Sequence, residues 1–359
     1  MRAAILRQTG DENLDIVDDL ELAGPGPGEV RIKIVAAGLC HSDMSAMTGT
    51  IPQPVPAVLG HEGSGDVIAV GEGVTSVKVG DRVIVAWSAP CGLCKACLRN
   101  EPHLCTAIMF GAGLLPHFSQ GGMPVFGFAG NGTFAEEMVL PQQAVIPIPS
   151  DVPYEVGALI GCGVMTGVGA AINTAHVKPG SSVVVFGCGG VGIATIQGAK
   201  IAGAAEIIAV DTVDSKLETA KRFGATHAVK PDGLQSTVDS ITGHDGADYA
   251  FECIGLPATI RRSYEIVRRG GTAVVVGAGR QDQKVEFNSF ELFFNEKKFL
   301  GCYYGSGNVR TDFHKLIRLY KAGRLDLEGM ITERMDISEV NKALENMRGG
   351  SVIRQIFTF

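Results

Sequence analysis

Along the first 150 positions, apolar residues come in short β-branched runs, EVRIKIVAAG, GSGDVIAVGEGV, DRVIVAW, TFAEEMVLP and AVIPIP, separated by Gly and Pro. Side chains branched at Cβ fit the pleated, half-buried surface of a strand, and Gly and Pro interrupt it. The pattern predicts an irregular β-rich domain with long loops. Beyond about Val164 the rhythm changes. Apolar strands (SSVVVFG, EIIAVD, DYAFECIG, GTAVVVGAG) alternate with stretches of helical period (from Val191, then LETAKRFG, then SYEIVRRG), as a parallel sheet with crossover helices requires. From about Tyr304 the chain is helical and polar, and it finishes in VIRQIFTF, a strand-like segment expected to return to the first domain. The expectation is an α/β protein in which a β-rich domain, residues 1–163 and 304–359, is interrupted by a doubly wound parallel-sheet domain, residues 164–303.

Composition narrows the function classes. A chain of 359 residues exceeds one ordinary core, so two domains are expected. With 31 basic against 38 acidic residues, net −7, no broad cationic face is available for nucleic acid. No apolar stretch approaches membrane-spanning length without a Gly or a charge in it. The start MRAAILRQTG lacks the long apolar run of a secretory signal, so a cytoplasmic protein is expected, with thiols kept reduced.

Reduced thiols matter because of Cys91, Cys94, Cys97 and Cys105, spaced by two, two and seven residues. That spacing lets four thiolates wrap one tetrahedral zinc, within a lobe of residues 88–106; a disulfide cluster is the alternative. A closed four-thiolate site leaves no position for substrate, so it is structural. Of the other cysteines, Cys188, Cys253 and Cys302 lie in apolar runs and read as small buried hydrophobes. Cys40 and Cys162 lie in glycine-flanked loops and read as ligands of a second metal.

Gly187-Cys188-Gly189-Gly190-Val191-Gly192 follows an apolar strand and opens a helix, the setting of a dinucleotide-binding turn. Its glycines admit a pyrophosphate close to the backbone, and the helix start favours the negative charge. Asp211 ends the next strand, 19 residues beyond Gly192, where a carboxylate can accept from the ribose hydroxyls and repel a 2′-phosphate. NAD is therefore expected rather than NADP.

Cys40, the segment Gly60-His61-Glu62, the cysteine quartet, Cys162, GCGGVG and Asp211 occur in an order that closely resembles the zinc-dependent alcohol dehydrogenases of the medium-chain dehydrogenase/reductase superfamily, class I/III-like branch. The resemblance implies a GroES-like catalytic domain wrapped around a Rossmann domain, and a catalytic zinc on Cys40, His61 and Cys162. Glu62 would be a transient ligand, and Asp43 the carboxylate that orients His61. Ser42 would take the alcohol proton. At the position of Ser45, where relatives carry a histidine base, the relay ends in a hydroxyl, so water or His41 would finish it. His41 and Arg354 are implied as pyrophosphate contacts, Lys216 as a ribose neighbour, and Thr166, Gly187, Gly189, Gly190, Val191 and Gly192 as further cofactor contacts. Trp87, Phe128, Ala129, Ala278 and Tyr303 would line the substrate pocket.

Zinc with two thiolates and an imidazole is electrically neutral and keeps a fourth position open. As a Lewis acid it stabilises an alkoxide, which readily expels hydride. The activity expected is NAD-dependent interconversion of primary alcohols with aromatic or medium apolar tails and their aldehydes, using one catalytic and one structural zinc. GCGVMTGVGAAINT also resembles the thiol-dependent formaldehyde dehydrogenases, but TGTIPQPVPAVLG lacks the acidic residues that the glutathione branch carries there. A crystallin-like or regulatory relative is disfavoured by the presence of Cys40, His61 and Cys162. FLGCYYG is expected to pair edge to edge with its twin, giving a homodimer or homotetramer.

Overall fold

The computed structural model describes residues 1–107 and 115–359. The chain divides into two compact units, residues 1–162 with 308–359, and residues 163–307. The first is β-rich. Strand Glu29–Leu39 turns Val30, Ile32 and Ile34 inward on alternate positions, the period of a strand with one buried face. It pairs antiparallel with Glu62–Val70, Glu137–Pro141 and the last strand, Arg354–Thr358. A second sheet runs through Asp15–Val17, Ala3–Leu6, Ala57–Val58, Met123–Gly127, Phe118–Gln120 and Glu21–Leu22. A single apolar core joins them, drawing on Ile5, Leu6, Ile32, Ile34, Phe134 and Phe357.

The second unit carries six parallel strands in the order His227–Val229, Glu206–Val210, Ser182–Phe186, Ala247–Glu252, Val267–Val275, Lys298–Gly301. Chain order thus reverses direction between Ser182–Phe186 and Ala247–Glu252, and ligands of such sheets bind outside the carboxyl ends of the strands at that reversal. The central strands are buried on both faces, which explains why they read as continuous apolar runs rather than alternating ones.

Helical turns continue from Tyr154 to Thr174, with π-helical turns at Ile160–Val164 and Ala170–Thr174. Among the described residues this is the one helix long and apolar enough to cross a membrane, at mean hydropathy 1.6, yet 83% of it is buried inside the protein. Its glycines and its burial mark it as a core helix.

The closing strand is integral to the first unit. Phe357 is fully buried and meets Phe134 edge to face at 5.2 Å. Phe357→Ala is expected to cost about 3–5 kcal/mol, seen in urea or thermal unfolding as early loss of the first unit. An unchanged transition would mean that the C-terminal segment is dispensable.

Candidate functional site

Strand Glu29–Leu39 delivers Cys40 to the start of a short helix, His41–Met47. Asp43, fully buried, turns back from the third helical position. Its Oδ2 accepts from the Cys40 backbone N–H at 3.0 Å, and its Oδ1 accepts from the Gly60 N–H at 3.0 Å and lies 3.3 Å from His61 Nδ1. With Nδ1 turned to Asp43, His61 Nε2 is left buried and, among the described residues, without a hydrogen-bond partner. Cys162 enters from the π-helical turn Ile160–Val164, the kind of local widening that often marks functional positions. One donor atom from each of Cys40, His61, Glu62 and Cys162 falls within 4.8 Å of the others, all buried.

The electrostatics of this cluster call for a cation. The hydrogen bond between the two thiols, followed by the His61 ring, holds Cys40 well below the ordinary thiol range, against its burial. The same bond, together with burial, pushes Cys162 up. For His61, burial acts to lower the pKa, but the Asp43 carboxylate and the Cys40 thiolate prevail and raise it to about 10. Two thiols and a buried imidazole gathered this closely form a donor set for a positive charge. Zinc supplies that charge while deprotonating the thiols outright. Two sulfurs and an orphaned imidazole nitrogen at mutual ligand distance fit tetrahedral zinc. Glu62 is engaged elsewhere: Arg354 Nη2 donates to its Oε2, both groups being buried. Gly38, directly opposite Glu62 in register, leaves the space for that pair, since a Cβ there would collide with both side chains.

Around the cluster, Trp87 and Phe128 stand edge to face with the His61 ring at 6.3 and 5.2 Å. Ala129 follows Phe128 with φ +53°. Ser42 Oγ lies 3.7 Å from Cys40 Sγ. His41 is exposed and Ser45 half-buried on the same short helix. All these belong to the first unit; Ala278 and Tyr303, both exposed, belong to the second.

The sulfurs of Cys91, Cys94, Cys97 and Cys105 form a separate cluster. Every cysteine is free, and the four sulfurs lie within 4.8 Å of one another, as ligands of one ion would. Cys91 Sγ accepts from the Leu93 and Cys94 backbone N–H groups at 3.4 and 3.3 Å. The Leu93 N–H is the larger cause that brings Cys91 down to about 6. Burial pushes Cys97 up to about 12. Four converging sulfurs with backbone N–H donors suit a closed zinc site.

In the second unit, Gly187 turns with φ +88° and helix Gly190–Ala202 starts at once. Gly192 packs on the Gly187 carbonyl with no room for a Cβ. Asp211 Oδ2 accepts from the Cys188 N–H at 2.8 Å and Oδ1 from the Val213 N–H at 3.0 Å. It therefore braces the turn as well as offering a carboxylate beside it. Val191 and Lys216 are half-buried and Thr166 is buried. Sequence reasoning missed Glu252, a fully buried carboxylate inside DYAFECIG that ends strand Ala247–Glu252; nothing in its immediate sequence marks it out. It also missed the partnership of Glu62 with Arg354, which no local pattern announces.

The chain should carry two zinc ions of unequal role. Cys94→Ser is expected to lose one and to destabilise or aggregate the protein, because structural zinc contributes folding free energy. Cys162→Ser is expected to lose the other with little change in the unfolding transition. Metal analysis finding one zinc per chain in fully active wild-type protein would contradict this.

Two family models match, "Alcohol dehydrogenase GroES-like domain" over residues 26–150 and "Zinc-binding dehydrogenase" over residues 190–322. An alcohol dehydrogenase class-3 from Cereibacter sphaeroides is 39% identical, covering 100% of this chain and 99% of its own length. An S-(hydroxymethyl)glutathione dehydrogenase from Paracoccus denitrificans is 37% identical with the same coverage. Among solved structures, benzyl alcohol dehydrogenase from Acinetobacter calcoaceticus superposes with a TM-score of 0.92 at 32% identity, over 100% of this chain and 99% of that one.

Proposed function

The chain belongs to the zinc-dependent alcohol dehydrogenases of the medium-chain dehydrogenase/reductase superfamily, and from that premise we propose that it interconverts primary alcohols bearing aromatic or medium apolar tails with their aldehydes, using NAD. The observation that carries this reading is the buried Cys40–His61–Cys162 cluster flanked by the rings of Trp87 and Phe128. When bound there, zinc supplies a Lewis acid that favours the deprotonated alcohol, and the nicotinamide supplies the hydride acceptor.

The chain's own groups do the rest. Asp43 fixes the ring and tautomer of His61, an orientation whose loss typically costs metal affinity. Trp87 and Phe128 exclude water and favour an apolar tail, with the indole narrowing the approach to a bulky secondary alcohol. Ser42, beside Cys40, takes the alcohol proton. Ser45, one turn further along the same helix, is no base at neutral pH, so the proton finishes on water or on exposed His41. Two points of support for a thiol-adduct substrate are the names of the 37–39% identical relatives and GCGVMTGVGAAINT. Against the glutathione form of it, no carboxylate lies between Asp43 and Glu62, and Asp43 is consumed by its three bonds.

Assays with benzyl alcohol and hexanol, against formaldehyde with glutathione or mycothiol, separate the two. Turnover of free alcohols without thiol supports the first reading; activity only with a thiol adduct replaces it with the second. Under either, Ser42→Ala is expected to slow hydride transfer about 10²–10⁴-fold, read in pre-steady-state bursts because slow NADH release can hide the chemical step.

Asp211→Gly removes a ribose acceptor and a charge that repels a 2′-phosphate. The ratio of kcat/KM for NADP to that for NAD should rise, even though loss of the bond to Cys188 weakens both. A wild type that already prefers NADP would contradict the role of Asp211.

For assembly, Lys298–Gly301 is the last strand of its sheet, and Phe290, Phe293, Phe294 and Phe299 near it are 40–80% exposed. A strand edge with no pairing partner among the described residues, beside exposed aromatics, suits pairing with a second copy, so the working form is a dimer or a multiple of it.

A further inference from the structure

Strand Ala247–Glu252 lies beside Ser182–Phe186 with Glu252 level with Phe186. The segment that follows Glu252 therefore leaves the sheet next to Gly187, at the point where strand order reverses. Its path is bound tightly. Glu252 Oε1 accepts from the Ile254 N–H at 3.0 Å, the Gly255 N–H at 2.9 Å and the Thr259 hydroxyl at 2.7 Å, and Oε2 accepts from the Gly255 N–H at 3.0 Å. The Glu252 carbonyl accepts from the Val276 and Gly277 N–H groups at 2.8 and 2.9 Å. Gly255, at φ +93°, comes so near the Ala278 carbonyl that a Cβ would lie 2.6 Å from it.

No cation is among these partners. A fully buried carboxylate held by neutral donors alone is costly, and burial raises its pKa against the pull of Thr259 and the backbone N–H groups. An apolar residue would fill the same volume at less cost, so the donors serve the shape of the segment. That shape lays Ile254 over the glycine turn, its Cγ1 lying 2.7 Å from where a Gly187 Cβ would be. Ile254 remains 45% exposed, an apolar surface beside the turn.

We propose that Glu252 is a positioning residue for the dinucleotide: its carboxylate freezes residues 253–256 so that Ile254 forms a preset wall of the nucleotide seat. The proposal rests on the dinucleotide reading of the Gly187–Gly192 turn. Without the carboxylate the segment samples other shapes, and apparent affinity falls by the fraction of time the wall is absent.

The test uses the zinc-loaded full-length protein and ADP-ribose, a fragment that cannot turn over, with calorimetric titration. Glu252→Gln keeps the volume but sets an amide N–H against the Gly255 N–H. It should weaken ADP-ribose about tenfold, and raise the KM for NAD by a similar factor with kcat unchanged or higher. Should that variant fold poorly, Thr259→Val removes one donor only and should weaken ADP-ribose about threefold. Ile254→Ala should also weaken binding. Combined with Glu252→Gln it should add less than twofold beyond the worse single change, because both act through one wall. Wild-type affinity in Glu252→Gln, or losses that simply multiply, would overturn the proposal. A wild type that binds neither ADP-ribose nor NAD would instead overturn the dinucleotide reading beneath it.

Discussion

The catalytic half of this protein depends on one buried carboxylate. Asp43 gathers the Cys40 N–H, the Gly60 N–H and the His61 ring, and so locks together a helix start and a strand start that are 17 or more residues apart in sequence. Each of those bonds would be modest in water. Inside a dry site each is expensive to leave unmade. The result is that one sulfur and one imidazole nitrogen stand within 4.8 Å of each other, a spacing that suits two ligands of one metal ion.

The same device recurs at the ends of the parallel strands. Asp211 binds the backbone of Cys188 and Val213, and Glu252 binds that of Ile254 and Gly255. Strand ends are where loops must be held in shapes that side-chain packing alone does not specify. A carboxylate that accepts two or three N–H groups supplies the missing constraint, at the cost of burying charge. In all three cases the loop so held lies at a candidate site, where a fixed shape repays that cost.

The two cysteine clusters divide stability from chemistry. The quartet at Cys91–Cys105 offers only sulfurs, with backbone N–H groups already turned to them, and a metal there closes its own coordination shell. The buried cluster offers two sulfurs and one nitrogen, while its nearby carboxylate is drawn off by Arg354 across Gly38. With Glu62 paired to Arg354, the donors left for a metal there are the two sulfurs and the imidazole nitrogen, a set that suits an open site.

Much of this was legible in the chain. The change from interrupted β-branched runs to alternating strand and helix placed the two kinds of domain, and the spacing of Cys91, Cys94, Cys97 and Cys105 identified a metal lobe because ligands so close in sequence can meet by local folding alone. The glycine turn was legible for the same reason, each glycine being required by the backbone within a few residues of itself. Tertiary structure alone decided the rest. Cys40, His61 and Cys162 meet only when a strand end, a strand start and a π-helical turn converge; Arg354 reaches Glu62 from the last strand, 292 residues away; and Glu252, unremarkable within DYAFECIG, gains its role only when its strand lies beside Ser182–Phe186. Local geometry is written in neighbouring residues, whereas the partner of a buried charge is chosen by the sheet order that brings distant residues together.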